Sequence, residues 1–274
     1  THISRGDYTV KGDLMQAGGR LGIDAHYNTA KDSYEASLNA HRLTVSNFVP
    51  LDSVLQVTAK ADVKGRGTDF LSPRSRLHAK ADIVDMHYGN RDVSRIHLDA
   101  LMQQGHSFVN FTSNNELLSA DGCIEVQVGG RKIEDAIFSI DMRGIDLYSL
   151  GITKQPLNVS MAMHMNGHTD LKDNHFLTGS VHSIQVETAD SVYYPKDIST
   201  EILMEADTLF AYLSAGDLQL HMNSRQGVQA LMSHAMDYWD ELNRQIQEKT
   251  FDQTRLRHRL PEVDLCVESG RQNP

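Results

Sequence analysis

Fourteen histidines in a chain of 274 residues are the first place to look for chemistry. The closest pair on one face is His164 and His168, in "MAMHMNGH". On a helix, four residues would bring both imidazoles to one ion. On a strand, at a rise of about 3.3 Å per residue, they stand ~13 Å apart. The segment alternates and contains Gly167, so these histidines are expected along a polar strand face and not around a metal. The carboxylates offer no more. Asp82 and Asp85, and Asp237 with Asp240 and Glu241, have the spacing of charge on a wetted face, and an acid/base dyad needs convergence between strands.

Motifs for nucleotide, zinc or acyl chemistry are missing: there is no Walker A loop, no H-E-x-x-H and no G-x-S-x-G elbow. "GRGTDF" at 65–70 meets only the first half of G-x-G-x-x-G, ends in Phe70 and opens no helix, which makes it a hairpin turn. "RGD" at 5–7 is too short to identify a receptor ligand, and Asn110 and Asn158 head glycosylation-type triplets. Cys123 and Cys266 lie in no metal or redox spacing, so they are small apolar fillers or, as the alternative, a disulfide. The expectation is a chain with no catalytic residue, no metal and no cofactor, hence not an enzyme.

Lys and Arg number 26 against 36 Asp and Glu, a formal charge of −10. A nucleic-acid surface needs a clustered basic excess, so that partner class is not expected. The one basic cluster, "RLRHR" at 255–259, reads as a solvated strand face. No apolar run approaches the ~18 residues of a bilayer span, so neither a membrane-spanning helix nor a signal peptide is expected within these residues. The chain opens on Thr1 and stops at "GRQNP", which predicts an excised piece of a longer protein.

The elements that must position any site follow a period of two. "LQVTAKADVK" puts Leu55, Val57, Ala59, Ala61 and Val63 on one side and Gln56, Thr58, Lys60, Asp62 and Lys64 on the other. The pattern returns in Leu77, Ala79, Ala81 and Ile83; in Ile96, Leu98, Ala100 and Met102; and in Ala120, Ile124, Val126 and Val128. It continues through Phe138, Ile140 and Met142, then Val159, Met161, Met163 and Met165, and later through Ile202 and Met204 and through Leu218, Leu220 and Met222. Turn signals punctuate the runs at "GRG" 65–67, "GN" 89–90, "SNN" 113–115, "GG" 129–130, "NG" 166–167 and "AGD" 215–217. About fourteen antiparallel strands are predicted, in one continuous domain over 1–274 with no linker. The core A-K-A-D occurs twice, at 59–62 and 79–82, as a loose structural repeat.

One segment obeys a different period. Val228, Leu231, Met232, Ala235, Trp239, Leu242 and Ile246 recur at threes and fours, which predicts an amphipathic helix over about 225–250 with Asn223 or Ser224 as its cap. It would lie on the apolar side of the sheet, act as a lid over a ligand groove, or face a partner or membrane. After it, alternation resumes around Pro261. The methionine-rich apolar face suits either a packed sandwich core or a surface that accepts varied apolar shapes.

These couplets resemble the C-terminal region of the TamB and AsmA-like family of Gram-negative envelope proteins. The likeness rests on "DSYEASLNAHRLTVSNFVPLDSVLQVTAKADVKGRGTDF", "SRLHAKADIVDMHYGNRDVSRIHLDALMQQG", "FVNFTSNNELLSADGCIEV" and, after the helix, "LPEVDLCVESGRQNP", and it covers nearly the whole chain. The resemblance implies a β-taco: a mostly β chain whose long antiparallel sheet is curled into a groove with an apolar inner face, here with one amphipathic helix near its C-terminal end. It further implies a periplasmic location, an inner-membrane anchor outside this fragment, and an outer-membrane barrel partner. The associated functions are phospholipid transport between the membranes and assembly or secretion of barrel proteins, as in the translocation and assembly module. The groove-lining positions would be Leu55, Val57, Val63, Leu77, Ile83, Ile96, Leu98 and Met102. Beyond these come Ile124, Val126, Phe138, Ile140, Met142, Val159, Met161, Met163 and Met165. The ligand would be a phospholipid or another acyl chain.

Overall fold

Alternation becomes strand after strand. The computed structural model describes residues 2–4, 6–49, 54–89, 91–260 and 262–270. Arg5 of the "RGD" triplet and Asn90 of the "GN" signal lie outside them. Eighteen described strands belong to one antiparallel sheet. They are β1 (His2–Ser4), β2 (Asp7–Gln16), β3 (Gly19–Asn28), β4 (Ser33–Thr44), β5 (Leu55–Arg66), β6 (Arg76–Tyr88), β7 (Arg91–Asp92), β8 (Ile96–Gln103) and β9 (His106–Asn114). After them come β10 (Leu118–Gly129), β11 (Lys132–Asp146), β12 (Leu157–Thr169), β13 (His175–Thr188), β14 (Val192–Tyr193), β15 (Ile198–Met204), β16 (Leu209–Ala215), β17 (Leu218–Ser224) and β18 (Val263–Ser269). Helices α1 (Val228–Glu248) and α2 (Gln253–Arg257) stand between β17 and β18. The fold is therefore the mostly β, long open antiparallel sheet with one long helix near its C-terminal end. The strands beyond the expected fourteen include β1, β7 and β14, which are too short to show a period.

Contacts group the chain into two compact units, Thr1–Met165 with Val181–Pro195, and Asn166–Ser180 with Lys196–Pro274. The division passes through β12 and β13, inside regular strand, which is why no Pro- or Gly-rich linker marks it.

In the first unit the register lines up four apolar rows across the nine strands β2–β6 and β8–β11. One runs Leu14–Leu21–Ala40–Ala59–Ile83–Ile96–Ser113–Ala120–Met142, and the next runs Gly12–Ile23–Leu38–Ala61–Ala81–Leu98–Phe111–Gly122–Ile140. The third is Val10–Ala25–Ala36–Val63–Ala79–Ala100–Val109–Ile124–Phe138, and the fourth is Tyr8–Tyr27–Tyr34–Gly65–Leu77–Met102–Ser107–Val126–Ala136. Four bulges preserve this parity, two of them in the β10–β11 pair, at Ser119/Ala120 and Gln127/Val128. The β4–β5 register jumps between Ala40 and Leu43, where Arg42 takes φ 47°, and the β5–β6 register jumps at Thr58/Ala59, leaving Val84 as the extra residue. Beyond them Leu43, Val57 and Met86 return to the apolar side.

The same register explains the A-K-A-D echo. The two copies lie antiparallel with Ala61 opposite Ala81, so Lys60 faces Asp82 and Asp62 faces Lys80. An antiparallel pair of identical K-x-D segments always sets each cation against the other copy's carboxylate, which favours this pairing over a slipped one. The charges then extend along the face: Lys80 reaches Asp99 at 3.3 Å and His97 reaches Asp82 at 2.6 Å.

In the second unit β15–β18 form rows Thr200–Leu213–Leu220–Val267, Ile202–Ala211–Met222–Leu265 and Met204–Leu209–Ser224–Val263. Several local expectations change here. "NG" at 166–167 is not a turn: Gly167 sits within β12, where a Cβ would strike the Phe176 carbonyl. The turn comes at 170–174, where the Asp170 carboxylate accepts from the backbone N–H groups of Lys172, Asp173 and Asn174 at 2.9, 3.0 and 2.9 Å. Asn223 and Ser224 do not cap α1, because both are spent in β17; Gly227 stands at the N-cap without a side-chain bond. "RLRHR" is not a strand face either. Asp252 accepts from the N–H groups of Thr254 and Arg255 and starts α2, so alternation resumes only at Val263. Cys123 and Cys266 are free thiols. Neither fills an apolar core: Cys123 lies in the polar row between Asn110 and Ser139, and Cys266 is exposed.

Two glycines of the apolar face test this packing. A Cβ on Gly65 would collide with the Tyr34 ring and lie 2.6 Å from the Arg76 carbonyl, whereas one on Gly12 meets nothing within 4 Å. Gly65→Val is expected to destabilise the first unit by about 1–3 kcal/mol, read as a lower urea midpoint. Gly12→Val should leave the midpoint unchanged or raise it.

Candidate functional site

The four rows contain no charged side chain; their polar members are Ser107, Ser113 and three tyrosines. At ~4.8 Å between strands, nine strands make an apolar surface roughly 40 Å across. Such a face ordinarily packs against a second layer. This one keeps Val10 46%, Leu14 41% and Ile124 39% exposed, and the buried apolar residues on it are few, among them Ala40, Ala100, Met102 and Ala120. The chain exposes 18139 Å², whereas two compact bodies of these sizes would together expose roughly 14,000 Å². The methionine-rich face is thus open, not a sandwich interior.

The groove-lining residues expected from the pattern fall on this one side. Leu55 and Val57 pair with Tyr88 and Met86, Val63 with Ala79, and Leu77 with Met102. Ile83, Ile96, Leu98, Ile124, Val126, Phe138, Ile140 and Met142 sit in the rows above. In β12, His164 shares a hydrogen bond of 2.9 Å with Ser139 of the polar face. Strand alternation therefore turns Val159, Met161, Met163 and Met165 to the apolar side. His168 stacks on Phe176 instead, with ring centroids 5.3 Å apart, so each of the two histidines has its own partner.

An apolar cavity of about 340 Å³ lies along the third and fourth rows. The 67–75 connection folds Phe70 and Leu71 over it, and Leu77, Met102, Val109, Val126, Val128 and Ile133 wall it. The connection is fixed by Gly67 at φ 80° and by the Ser75 hydroxyl, which donates to the Asp69 carbonyl at 2.7 Å. "GRGTDF" thus supplies the end of β5 and the start of a roof.

Helix α1 behaves differently from a helix laid on a sheet. Leu231 and Leu242 of its stripe are half-buried, but Met232, Trp239 and Ile246 remain 60%, 60% and 64% exposed, and Ala235 is exposed as well. Its buried side chains are polar: Glu241 at 3% and Gln245 at 2% exposure. Glu241 accepts from Arg244 and from Gln245 Nε2 at 2.9 Å, with Arg259 3.6 Å away. Gln245 in turn clasps the Asp252 backbone through its carbonyl at 2.7 Å and its amide at 3.1 Å, beside buried Leu256. A polar corner between α1 and α2 holds the helix, leaving the centre of its apolar stripe in solvent.

One set of side chains on the polar side has metal-ligand chemistry. Asp85, His87 and Asp92 bring ligand atoms within 4.8 Å of one another. His87 Nε2 lies 2.9 Å from Asp85, and Ser94 donates to both carboxylates, which holds Asp92 below its usual range. The sequence pattern does not reveal this set, because Asp92 meets His87 only through the β6–β7 register. Each member already has a partner, His87 with Asp85 and Asp92 with Ser94, so the arrangement is satisfied as a hydrogen-bond network.

No family model matches the chain, and comparison with curated proteins and with solved structures gave no match. No described helix is long and apolar enough to cross a membrane.

The Arg244 hydrogen bond, reinforced by Gln245, lowers the Glu241 carboxyl to about 2. Because its folded-state value is depressed, the carboxylate supports the α1–α2 corner above the ordinary glutamate range and loses that support as pH falls toward 2. The protection of α1 amides against exchange, relative to the intrinsic rate at each pH, is therefore expected to fall between about pH 4.5 and 2. Glu241→Gln should abolish most of this pH dependence while leaving exchange in β5 and β6 unchanged.

Proposed function

We propose that the chain is a non-enzymatic lipid-handling protein of the bacterial envelope, of the TamB and AsmA-like kind, in which the open apolar face carries acyl chains of phospholipid between the inner and outer membranes. The observation behind this reading is the face of the first unit, free of charge over four rows and left uncovered. Moving an acyl chain through water costs ~0.8 kcal/mol per exposed CH₂, so a full-length chain meets a barrier above ~10 kcal/mol. A continuous apolar surface lowers that barrier with no catalytic group, metal or nucleotide. Methionines 142, 161, 163 and 165 suit it, since a flexible thioether adapts to a moving hydrocarbon. The open antiparallel sheet is also the fold that the family resemblance implies.

Native mass spectrometry of the purified protein should detect copurified phospholipid. Leu98→Asp, in the middle of the second row, is expected to keep the strand signature in circular dichroism and to lose lipid at least tenfold. A variant that retains wild-type lipid occupancy would remove the face from the working part.

A second reading, a scaffold for outer-membrane barrel assembly through edge-strand pairing, draws on β18. Among the described residues that strand has a registered partner on one side, β17, and its Leu265 and Val267 are exposed. An unpaired edge is a template for another strand. Crosslinking from position 265 or 267 to an unfolded barrel client should succeed under this reading, and Leu265→Pro should abolish it; no adduct at either position would refute it.

A further inference from the structure

At the rim of the apolar face, within the first unit, lies a second cavity of opposite character. It measures about 710 Å³ and is built where the β7 region, the β9–β10 turn and the 148–153 segment meet. Arg91 and Arg95 line it, and neither guanidinium has a hydrogen bond or ion pair with any described residue. Arg91 lies across Gly151, whose φ of 73° and lack of Cβ leave room for the guanidinium; any Cβ there would collide with it. Arg95 takes the left-handed φ of 61°, and its carbonyl accepts the Asn114 N–H at 3.1 Å, so its backbone is held in place.

Two of the neutral polar walls are already committed. Asn115 donates to the Ser94 carbonyl at 2.8 Å and accepts from the N–H groups of Leu117 and Leu118, and Thr153 donates to the Gln155 carbonyl. Asp92 is bound by Ser94. Glu116 is exposed on the wall with no hydrogen bond or ion pair to a described residue. Arg91 and Arg95 therefore face a single polar space with the carboxylate of Glu116, and with that of Asp92, which Ser94 binds and Arg95 attracts.

That charge layout fits a zwitterion. Guanidinium groups present planar paired donors matched to phosphate oxygens, and a carboxylate suits an ammonium. The cavity's place adds the rest: Arg95 immediately precedes Ile96, and Leu117 immediately precedes Leu118, whose partner is Ile145 at the end of the apolar rows. A phosphate held here has apolar surface within a residue's reach.

We propose that this cavity binds the phosphoethanolamine headgroup of a lipid, with its phosphate between Arg91 and Arg95 and its ammonium at Glu116. The proposal rests on the reading of the neighbouring face as an acyl-chain surface.

Calorimetric titration of the full chain tests it with four probes: dihexanoyl phosphatidylethanolamine and its phosphatidylglycerol counterpart, each below its micelle concentration, glycerophosphoethanolamine, and inorganic phosphate. The double variant Arg91→Gln/Arg95→Gln should bind both phosphoethanolamine probes at least tenfold more weakly. Glu116→Gln should erase the preference for dihexanoyl phosphatidylethanolamine over its phosphatidylglycerol counterpart. Leu98→Asp should weaken only the acylated probes. Equal binding by wild type and the double variant, with unchanged circular dichroism, overturns the headgroup site. If the double variant does not fold, Arg95→Gln alone decides the matter, with a loss of at least threefold expected and no loss fatal. Inorganic phosphate binding as tightly as glycerophosphoethanolamine would mark a free-anion site and overturn the assignment. Arginine-dependent binding of glycerophosphoethanolamine with no effect of Leu98→Asp on acylated probes would sink the acyl-face reading and leave the headgroup site standing.

Discussion

The structure depends on keeping strand parity across a long run of antiparallel pairs. In a strand, a slip of one residue exchanges its two faces. Nine strands of the first unit nonetheless hold every charged side chain off one side. The backbone ladder gives the pairing its strength, but it is indifferent to which face is which. Parity comes from side chains: alanine and valine against isoleucine on one face, lysine and histidine against aspartate on the other. Where the chain carries extra residues, at Arg42, Val84, Glu134 and Arg143, bulges absorb them and the faces recover. A strand that failed to recover would set charges among the apolar rows.

The polar side contributes in a different way. Its ion pairs, such as Lys11–Asp24 at 2.7 Å and His97–Asp82 at 2.6 Å, are mostly exposed. Pairs of that kind add little stability each. Their stronger effect is on which alternative pairings are unfavourable, because a shifted register would put like charges opposite one another. The apolar side is left free of a structural duty that core residues elsewhere carry, since among the described residues of the first unit no second layer covers it. A surface relieved of that duty is available to a ligand.

Much of this was legible in the sequence because period two is a local signal. The face assignments from Leu55 to Met142 follow directly from counting, and so does the existence of α1. What failed to be legible was decided by residues distant in sequence or by competition at a boundary. Asn166-Gly167 has turn composition, yet Asp170 organises the turn a few residues later by taking three backbone N–H groups. Ser224 has a capping hydroxyl, yet β17 claims it. Arg255 and Arg259 alternate like a strand, yet Asp252 nucleates a helix through them. Likewise the helix stripe was readable as apolar, but not that a glutamate and a glutamine would anchor it from behind. The rim cavity could not be read at all, since Arg91, Glu116 and Gly151 meet only after three separate turns have folded.

Each strand of the first unit touches chiefly the strands on either side of it. In such an arrangement cohesion accrues rung by rung, as in solenoids, and not through one shared interior. Lengthening or shortening the chain by a hairpin would preserve both strand direction and the two-sided pattern, so reach can evolve in units of two strands without redesigning what is already there.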